Sequence, residues 1–558
     1  MPKARDPLGT DFAPLFQHQG DEPPYERLQV EGVQTVELGG RQFLEVAPEA
    51  LSQLAEKAFA RVAFLYRPGH LAQLRHILED PEASLNDRFV ARQLLTNAVI
   101  AAGGDLPMCQ DTGTAIVLGH KGERVLTGGY DAAALSQGVA STWASRNLRF
   151  SQMAPLTTYE EVNTGSNLPA QIEIESGPGA RYDLLFVAKG GGSANKTFLF
   201  QETRAVLEED RLLSFLADKI ARLGTAACPP YHLAIVIGGL SAEQTLKTVK
   251  LASTRELDDL PETGDAGGRA FRDRRLERQV AELTRATGIG AQFGGKYFCH
   301  DVRVIRLPRH GGSLPIGLGV SCSADRQVKA RITADGIFLE KLESAPERYF
   351  PEIANNADAA TRIDLDRPMA EIRAALSQVP VGGRVTLSGS LVVARDLVHA
   401  ELRKRLAAGQ TLPDYMVRHP IYYAGPAKTP AGKPSGAFGP TTAQRMDGYM
   451  PELQARGAAL VTLAKGHRAK EVVESCRHHG GFYLGTIGGA AATIAEQNIT
   501  RVEQLDFAEL GMEAVWRIEV QDLPAFMVID DKGNDFYAAP GDVHAGRPVS
   551  GGPAAPGP

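Results

Sequence analysis

The sequence predicts an α/β and α+β multidomain protein, with a helix-rich N-terminal domain that runs into mixed sheet and a smaller C-terminal α/β domain. Three observations predict it. Apolar residues recur at three- and four-residue steps through much of the first third. Runs of β type enter from Arg181 onward. Both patterns then fade in a polar stretch, Ile353 to Asp366, flanked by Pro346, Pro351 and Pro368.

Helical spacing predicts helices over Ala50 to Tyr66, Leu71 to Leu78, Ser84 to Ala102 and Asp131 to Arg146, which would pack as a layer. Strands are predicted over Tyr182 to Ala188 and His232 to Gly238, separated by a helix, Leu207 to Leu223, that Gly224 stops. Phe298 to Arg306 and Val328 to Leu339 alternate like half-buried strands. In the second half a strand at Arg384 to Val393 leads into a helix at Asp396 to Leu406. Ala459 to Ala464 likewise leads into Ala469 to His478. The expected boundaries are therefore an N-terminal domain over 1–352, a linker over 353–368 and a C-terminal domain over 369–546. The Gly-, Pro- and Ala-rich tail, 547–558, buries too little apolar surface to order itself.

With 43% apolar and 23% charged residues and a net charge of -6, the 558-residue chain has ordinary globular composition and no nucleic-acid footprint. The most apolar run, His232 to Leu240, is far short of a membrane span, and Met1 to Gly20 lacks a signal or transit pattern. A cytoplasmic location is expected. The five cysteines, Cys109, Cys228, Cys299, Cys322 and Cys476, are an odd number without close pairs. That argues for reduced thiols and against a disulfide framework or a zinc ribbon.

Chemistry concentrates in a few turns. Cys109-Gln110-Asp111-Thr112-Gly113-Thr114 sets a thiol, an amide, a carboxylate and hydroxyls on one turn before a strand at Ala115 to Leu118, although Asp-Thr-Gly also suits a plain Asx turn. Cys228 precedes two prolines, and Cys322 lies among small residues in Gly319 to Asp325; both turns could hold a preorganised ligand. Lys189 to Thr197 invites comparison with a phosphate loop, but Asn195 stands where its second glycine belongs. Its glycines could instead close on a carboxylate or a cluster sulfide. Downstream, Gly425 to Pro430 and Gly439 to Arg445 form a rigid loop ending in a helix start that Thr441 or Thr442 would cap. A hydroxyl there, beside Arg445, is also placed to lose a proton. Arg149, Arg395, Arg445 and Lys465 are candidates for gripping carboxylates. His310 sits on a turn, where a polar role outweighs a core one, whereas His478-His479, Cys299 and Cys476 read as structural.

These segments together resemble the class I, iron-sulfur fumarate hydratases from Pro14 to Gly541, with L-tartrate dehydratases as relatives that carry the two halves on separate chains. The resemblance rests on the Cys109 turn, the Lys189 to Lys196 segment, Cys228-Pro229-Pro230, Cys322 to Arg326 and the Gly439 to Tyr449 loop. It implies a homodimer with shared active sites, closed by the C-terminal domain, and a 4Fe-4S cluster held by Cys109, Cys228 and Cys322 with one iron left open. The implied reaction is reversible dehydration of (S)-malate to fumarate, a step of the tricarboxylic acid cycle. The implied roles are Thr441 with Arg445 as base, Asp111 as acid, and His310 and Gln110 as positioners. Arg149, Gly192, Arg395 and Lys465 would bind the dicarboxylate. Mesaconate or tartrate as substrate, or a cluster-based sensor without turnover, are the competing expectations, and a zinc hydrolase is the weakest.

Overall fold

In the computed structural model, which describes residues 14–18, 22–352 and 360–538, the four helices expected in the first third form at Pro48–Phe64, Pro68–Glu79, Leu85–Ala102 and Asp131–Ser145. Proline opens the first two, where its missing N–H is no loss. Ser84 caps the third by accepting from the Asp87 N–H at 2.9 Å. The first helix packs on the fourth through Gly138. A Cβ there would fall on the Ser52 carbonyl oxygen and within 2.7 Å of the Ala55 Cβ.

Beneath these helices lies a six-stranded sheet in the order Tyr25–Arg27, Gly336–Glu340, Gln327–Thr333, Tyr182–Lys189, Thr114–Gly122, Gln171–Gly177. Its two faces follow the period of two along a strand. Tyr182, Leu184, Phe186 and Ala188 join the core around Phe59 and Trp143, while Leu185 and Val187 face the other way, toward Leu251. Leu251 belongs to the helix Ala242–Ser253, which also packs on a five-stranded sheet: Phe198–Glu202, Leu314–Ser321, Tyr231–Gly239, Cys299–Arg309, Phe271–Arg272. Every residue of Tyr231–Gly239 and Leu314–Ser321 is buried, as their near-continuous apolar runs require.

Contact density divides the chain into two units, Met1–Pro351 and Glu352–Pro558. The stretch expected to be linker, 353–368, needs correction. Residues 353–359 lie outside the described residues, but Thr361–Asp364 is an edge strand paired in parallel with Arg384–Val393. Its acidic, polar composition hid a strand that needs only Ile363 and Leu365 inside. The tail 547–558 also lies outside the described residues.

The second unit has the α/β pattern at its centre, with Arg384–Val393, Ile421–Tyr422, Val461–Ala464 and Phe482–Thr486 running parallel. The strand Val515–Ile529 was not foreseen, because Asp522-Leu523-Pro524 breaks its alternation. It pairs antiparallel with both Arg384–Val393 and Phe482–Thr486, which closes the sheet on itself. Among the described residues no helix is long and apolar enough to cross a membrane. Gly138→Ala is expected to lower the stability of the first unit by about 1 to 3 kcal/mol through overpacking. A denaturant midpoint equal to wild type would show that the helices part without penalty.

Candidate active site

The three cysteine turns expected to act together are tied to one another. Cys228 ends the link before Tyr231–Gly239 with φ 64°, a left-handed conformation that costs a residue with a side chain about 1 to 3 kcal/mol. Surrounding bonds hold it there. Its N–H donates to the Thr225 carbonyl at 2.9 Å, and its own carbonyl accepts from the Ser323 N–H at 3.0 Å, joining the Cys228 and Cys322 turns. Arg326, four residues past Cys322, donates through Nη1 to the Asp111 carbonyl at 2.8 Å, joining the Cys109 turn. Burial pushes the Tyr66 hydroxyl above the usual phenol range, and the Cys109 and Cys322 thiols add to the shift, so both lie within its electrostatic reach. Tyr231 stands in the same relation to Cys228 and Cys322, and also to Cys299, its partner on the neighbouring strand.

The Cys109 turn does contain the Asx turn, since the Gly113 N–H donates to Asp111 Oδ1 at 3.2 Å. The other carboxylate oxygen accepts from the Gly191 N–H at 2.7 Å, so the glycine segment closes on a carboxylate of its own chain. Gly192 sits in the single helical turn Gly191–Ala194. Gly113 has φ +86°, and a Cβ would strike the Lys189 backbone at 2.9 Å, so only glycine lets the two segments meet. Arg149 places Nη2 3.6 Å from Asp111 Oδ1, and its backbone is held by Thr112 Oγ1. Gln110 is buried, with Oε1 3.6 Å from Cys109 Sγ.

Behind the Cys322 turn lies a buried polar network that sequence reading missed, because its members are scattered. Asp325 accepts from Ser321 Oγ at 2.7 Å, Gln327 Nε2 at 2.8 Å and Arg255 Nη2 at 2.7 Å. Arg255 Nη2 also reaches His232 Nε2 at 3.0 Å. A guanidinium can only donate, so His232 Nε2 accepts and Nδ1–H donates to Asp301 Oδ1 at 2.9 Å. His70 Nδ1 then donates to His232 Nε2 at 3.0 Å. His70, His232 and Asp325 hold ligand atoms within 4.8 Å of one another, and the Arg255 guanidinium already donates to two of them, His232 and Asp325. Burial pushes His70 down to about 3 and overrides the pull of Asp325. Burial opposes ionisation of Asp325, but the Arg255 guanidinium and the Ser321 hydroxyl hold it well below the usual carboxylate range.

In the second unit three of the expected residues, Thr441, Arg445 and Lys465, are linked through Thr441. The Thr441 N–H donates to the Tyr423 carbonyl at 2.8 Å, and the Lys465 N–H donates to the Thr441 carbonyl at 3.1 Å. Arg445 donates through Nη1 to Thr441 Oγ1 at 3.2 Å and pairs through Nη2 with Asp396 at 2.7 Å. Arg395, next to Asp396, is buried against Glu513 at 2.6 Å. The expected side-chain cap is absent: Thr442 precedes a 3-10 helix, Ala443–Tyr449, without capping it. Asp447 fixes that helix instead, accepting from Arg468 Nε and the Ala469 N–H at 2.6 Å each. Arg468 itself is enclosed between the Tyr423 and Tyr483 rings.

One expected residue stands apart. His310 is exposed on the turn before Leu314–Ser321, and Cys322 follows the far end of that eight-residue strand, roughly 25 Å away at strand rise. Cys299 and Cys476 have structural surroundings: burial pushes both thiols up, and Cys476 Sγ accepts from Gln454 Nε2 at 3.5 Å.

The first unit thus holds thiols on mutually tied turns, and the second, by itself, holds a threonine hydroxyl that accepts from an arginine. Known proteins narrow this further. Residues 52–331 match a family model described as fumarate hydratase (fumerase), and residues 336–540 match one described as the fumarase C-terminus. The chain is 56% identical to the aerobic class I fumarate hydratase of Escherichia coli K12, covering 94% of this chain and 96% of that protein. It is 56% identical to fumarate hydratase 2 of Leishmania major over 92% and 91%. A putative L(+)-tartrate dehydratase subunit alpha of Methanocaldococcus jannaschii is 28% identical over 49% of this chain and 95% of its own. The chain belongs to the class I fumarate hydratase family and is an enzyme.

The buried network predicts a pH effect. A histidine near 6.5 when unfolded and about 3 when folded gives stability that is complete above pH 6.5 and falls as pH drops toward 3. Urea unfolding of the iron-free chain between pH 7 and 5 should show a slope that His70→Phe reduces by about 1 kcal/mol per pH unit. An unchanged slope would mean that His70 takes up its proton in the folded protein.

Proposed function

We propose that this protein interconverts (S)-malate and fumarate by reversible elimination of water, with a 4Fe-4S cluster held by Cys109, Cys228 and Cys322. The observation that carries the reading is the direct bonding among the three cysteine turns, whereas Cys299 and Cys476 lie on a strand and a helix outside those turns, with thiols that burial pushes up. The donor set fits such a group: three thiols on constrained turns, with main-chain N–H groups and the cations Lys189 and Arg326 close by. When bound, the cluster would supply Lewis acidity at the carbon–oxygen bond.

The chain's own residues would do the rest. Thr441 Oγ1 takes the proton from the carbon beside a carboxylate, and the Arg445 guanidinium that already donates to it stabilises the alkoxide. Asp111, oriented by Gly113 and Gly191, delivers a proton to the departing hydroxyl. Arg149, Arg395, Lys465 and the backbone at Gly192 hold the carboxylates, and they oppose the charge that builds as the proton leaves. Gln110 orients the substrate beside Cys109. His310, at the far end of its strand, would serve the site of a second copy in a homodimer.

The test is an anaerobic hydration assay after reconstitution with iron and sulfide, comparing fumarate, mesaconate and tartrate. Fumarate should give the highest kcat/KM, and activity should fall quickly in air. A large preference for tartrate or mesaconate would replace fumarate in this reading. Serine at Cys109, Cys228 or Cys322 should cost at least about a hundredfold in activity, whereas Cys299→Ser and Cys476→Ser should affect only packing. Thr441→Val should lower kcat by about 10²- to 10⁴-fold, the usual worth of a general base. Equal loss at all five cysteines would contradict the assignment of the ligands.

A further inference from the structure

The first unit contains a cavity of about 350 Å³ whose lining holds none of the three cysteines and none of the catalytic residues assigned above, and which borders the cysteine site through Lys189. It opens between the two sheets, beside the helix Ala242–Ser253. Lys189, Lys247 and Lys250 line it, with Gln171 and Glu173 from the edge strand and Val320 at the back. Lys189 reaches it because it continues the face of Leu185 and Val187, which points toward Leu251 on that helix and away from the Phe59 core.

The charges in this cavity do not balance locally. Lys247 pairs with Glu173 at 3.0 Å and Glu175 at 2.7 Å. Lys250 donates to the neutral Gln171 Oε1 at 3.0 Å, and Lys189 donates to the Val320 carbonyl. Among the described residues neither ammonium has a carboxylate within ion-pair distance, and Glu243, also in the lining, pairs with none of the three. Burial lowers the affinity of both for a proton; Cys322 and Asp325 oppose this at Lys189 and Glu173 opposes it at Lys250, all without ion-pair contact, while Lys250 adds to the lowering at Lys189 and Lys247 at Lys250. Two half-buried ammonium groups served only by neutral oxygens would gain charge-assisted bonds from an anion, at little further desolvation. A volume near 350 Å³ accommodates a small organic or inorganic anion.

We propose that this cavity binds a small dianion, inorganic phosphate or a dicarboxylate, through the ammonium groups of Lys189 and Lys250. Such a ligand would reach the cysteine site through Lys189. Its Nζ is bonded to the Val320 carbonyl, two residues before Cys322, and its backbone packs against Gly113 of the Asp111 turn. Drawing Nζ toward an anion releases that carbonyl and couples occupancy of the cavity to the Cys322 turn.

The experiment is isothermal titration of the full-length protein with potassium phosphate and, separately, with malonate. Ionic strength is held constant with potassium chloride, and thermal unfolding is followed in parallel. Saturable binding of either anion, weakened at least about tenfold in Lys250→Met and retained in Lys250→Arg, supports the site, and the anion that shows this pattern identifies the source. Malonate at the catalytic site would bind Lys250→Met as well as wild type. The proposal is overturned if neither anion binds saturably, or if every anion that does bind holds to Lys250→Met as tightly as to wild type while that variant unfolds cooperatively near the wild-type temperature.

Discussion

Two hydrogen bonds from the segment after Cys322 govern the geometry of the first unit's site. The Ser323 N–H on the Cys228 carbonyl and the Arg326 guanidinium on the Asp111 carbonyl bring together turns 95 and 215 residues apart in the chain. Much of the surrounding structure supports them. The Asp325 carboxylate anchors the same segment from behind, held by Ser321, Gln327 and Arg255, and is wholly buried. Removing one partner from such a buried ionic set costs several kcal/mol, so the Cys322 turn rests on a rigid base. Cys228 adds a strained backbone that its neighbours keep in place, as expected where geometry serves chemistry rather than stability.

The second unit reaches its order by another route. Thr441, Lys465 and Tyr423 are stitched through main-chain bonds, and Asp447 locks the helix carrying Arg445 to the loop after Lys465 through Arg468 and the Ala469 N–H. Side chains that must meet a small anion are thereby set by backbone geometry, which holds them with little residual freedom.

Much of this was legible in the sequence, and the failures have physical causes. Long amphipathic helices such as Pro48–Phe64 and fully apolar strands such as Tyr231–Gly239 declare themselves because burial dictates their pattern. The edge strand Thr361–Asp364 did not, since an edge needs few buried residues, and Val515–Ile529 was masked by its internal Asp-Leu-Pro. Site residues within one turn, such as Cys109 to Asp111, could be read from local density. The His70, His232, Arg255, Asp301 and Asp325 network could not, because only tertiary folding assembles it. His310 was rightly seen as a turn residue, yet its distance from Cys322 emerges only from the length of the strand between them.

The central claim is that three particular thiols form one cluster site. It is tested most directly by iron and acid-labile sulfide analysis after anaerobic reconstitution, with visible absorption recorded on wild type, Cys228→Ser and Cys476→Ser. Wild type and Cys476→Ser should each carry about four irons and four sulfides per chain and share the broad brown absorption of a cluster, while Cys228→Ser should retain neither. Full iron and sulfide in Cys228→Ser, or a wild-type protein that takes up zinc alone and hydrates fumarate, would contradict the account.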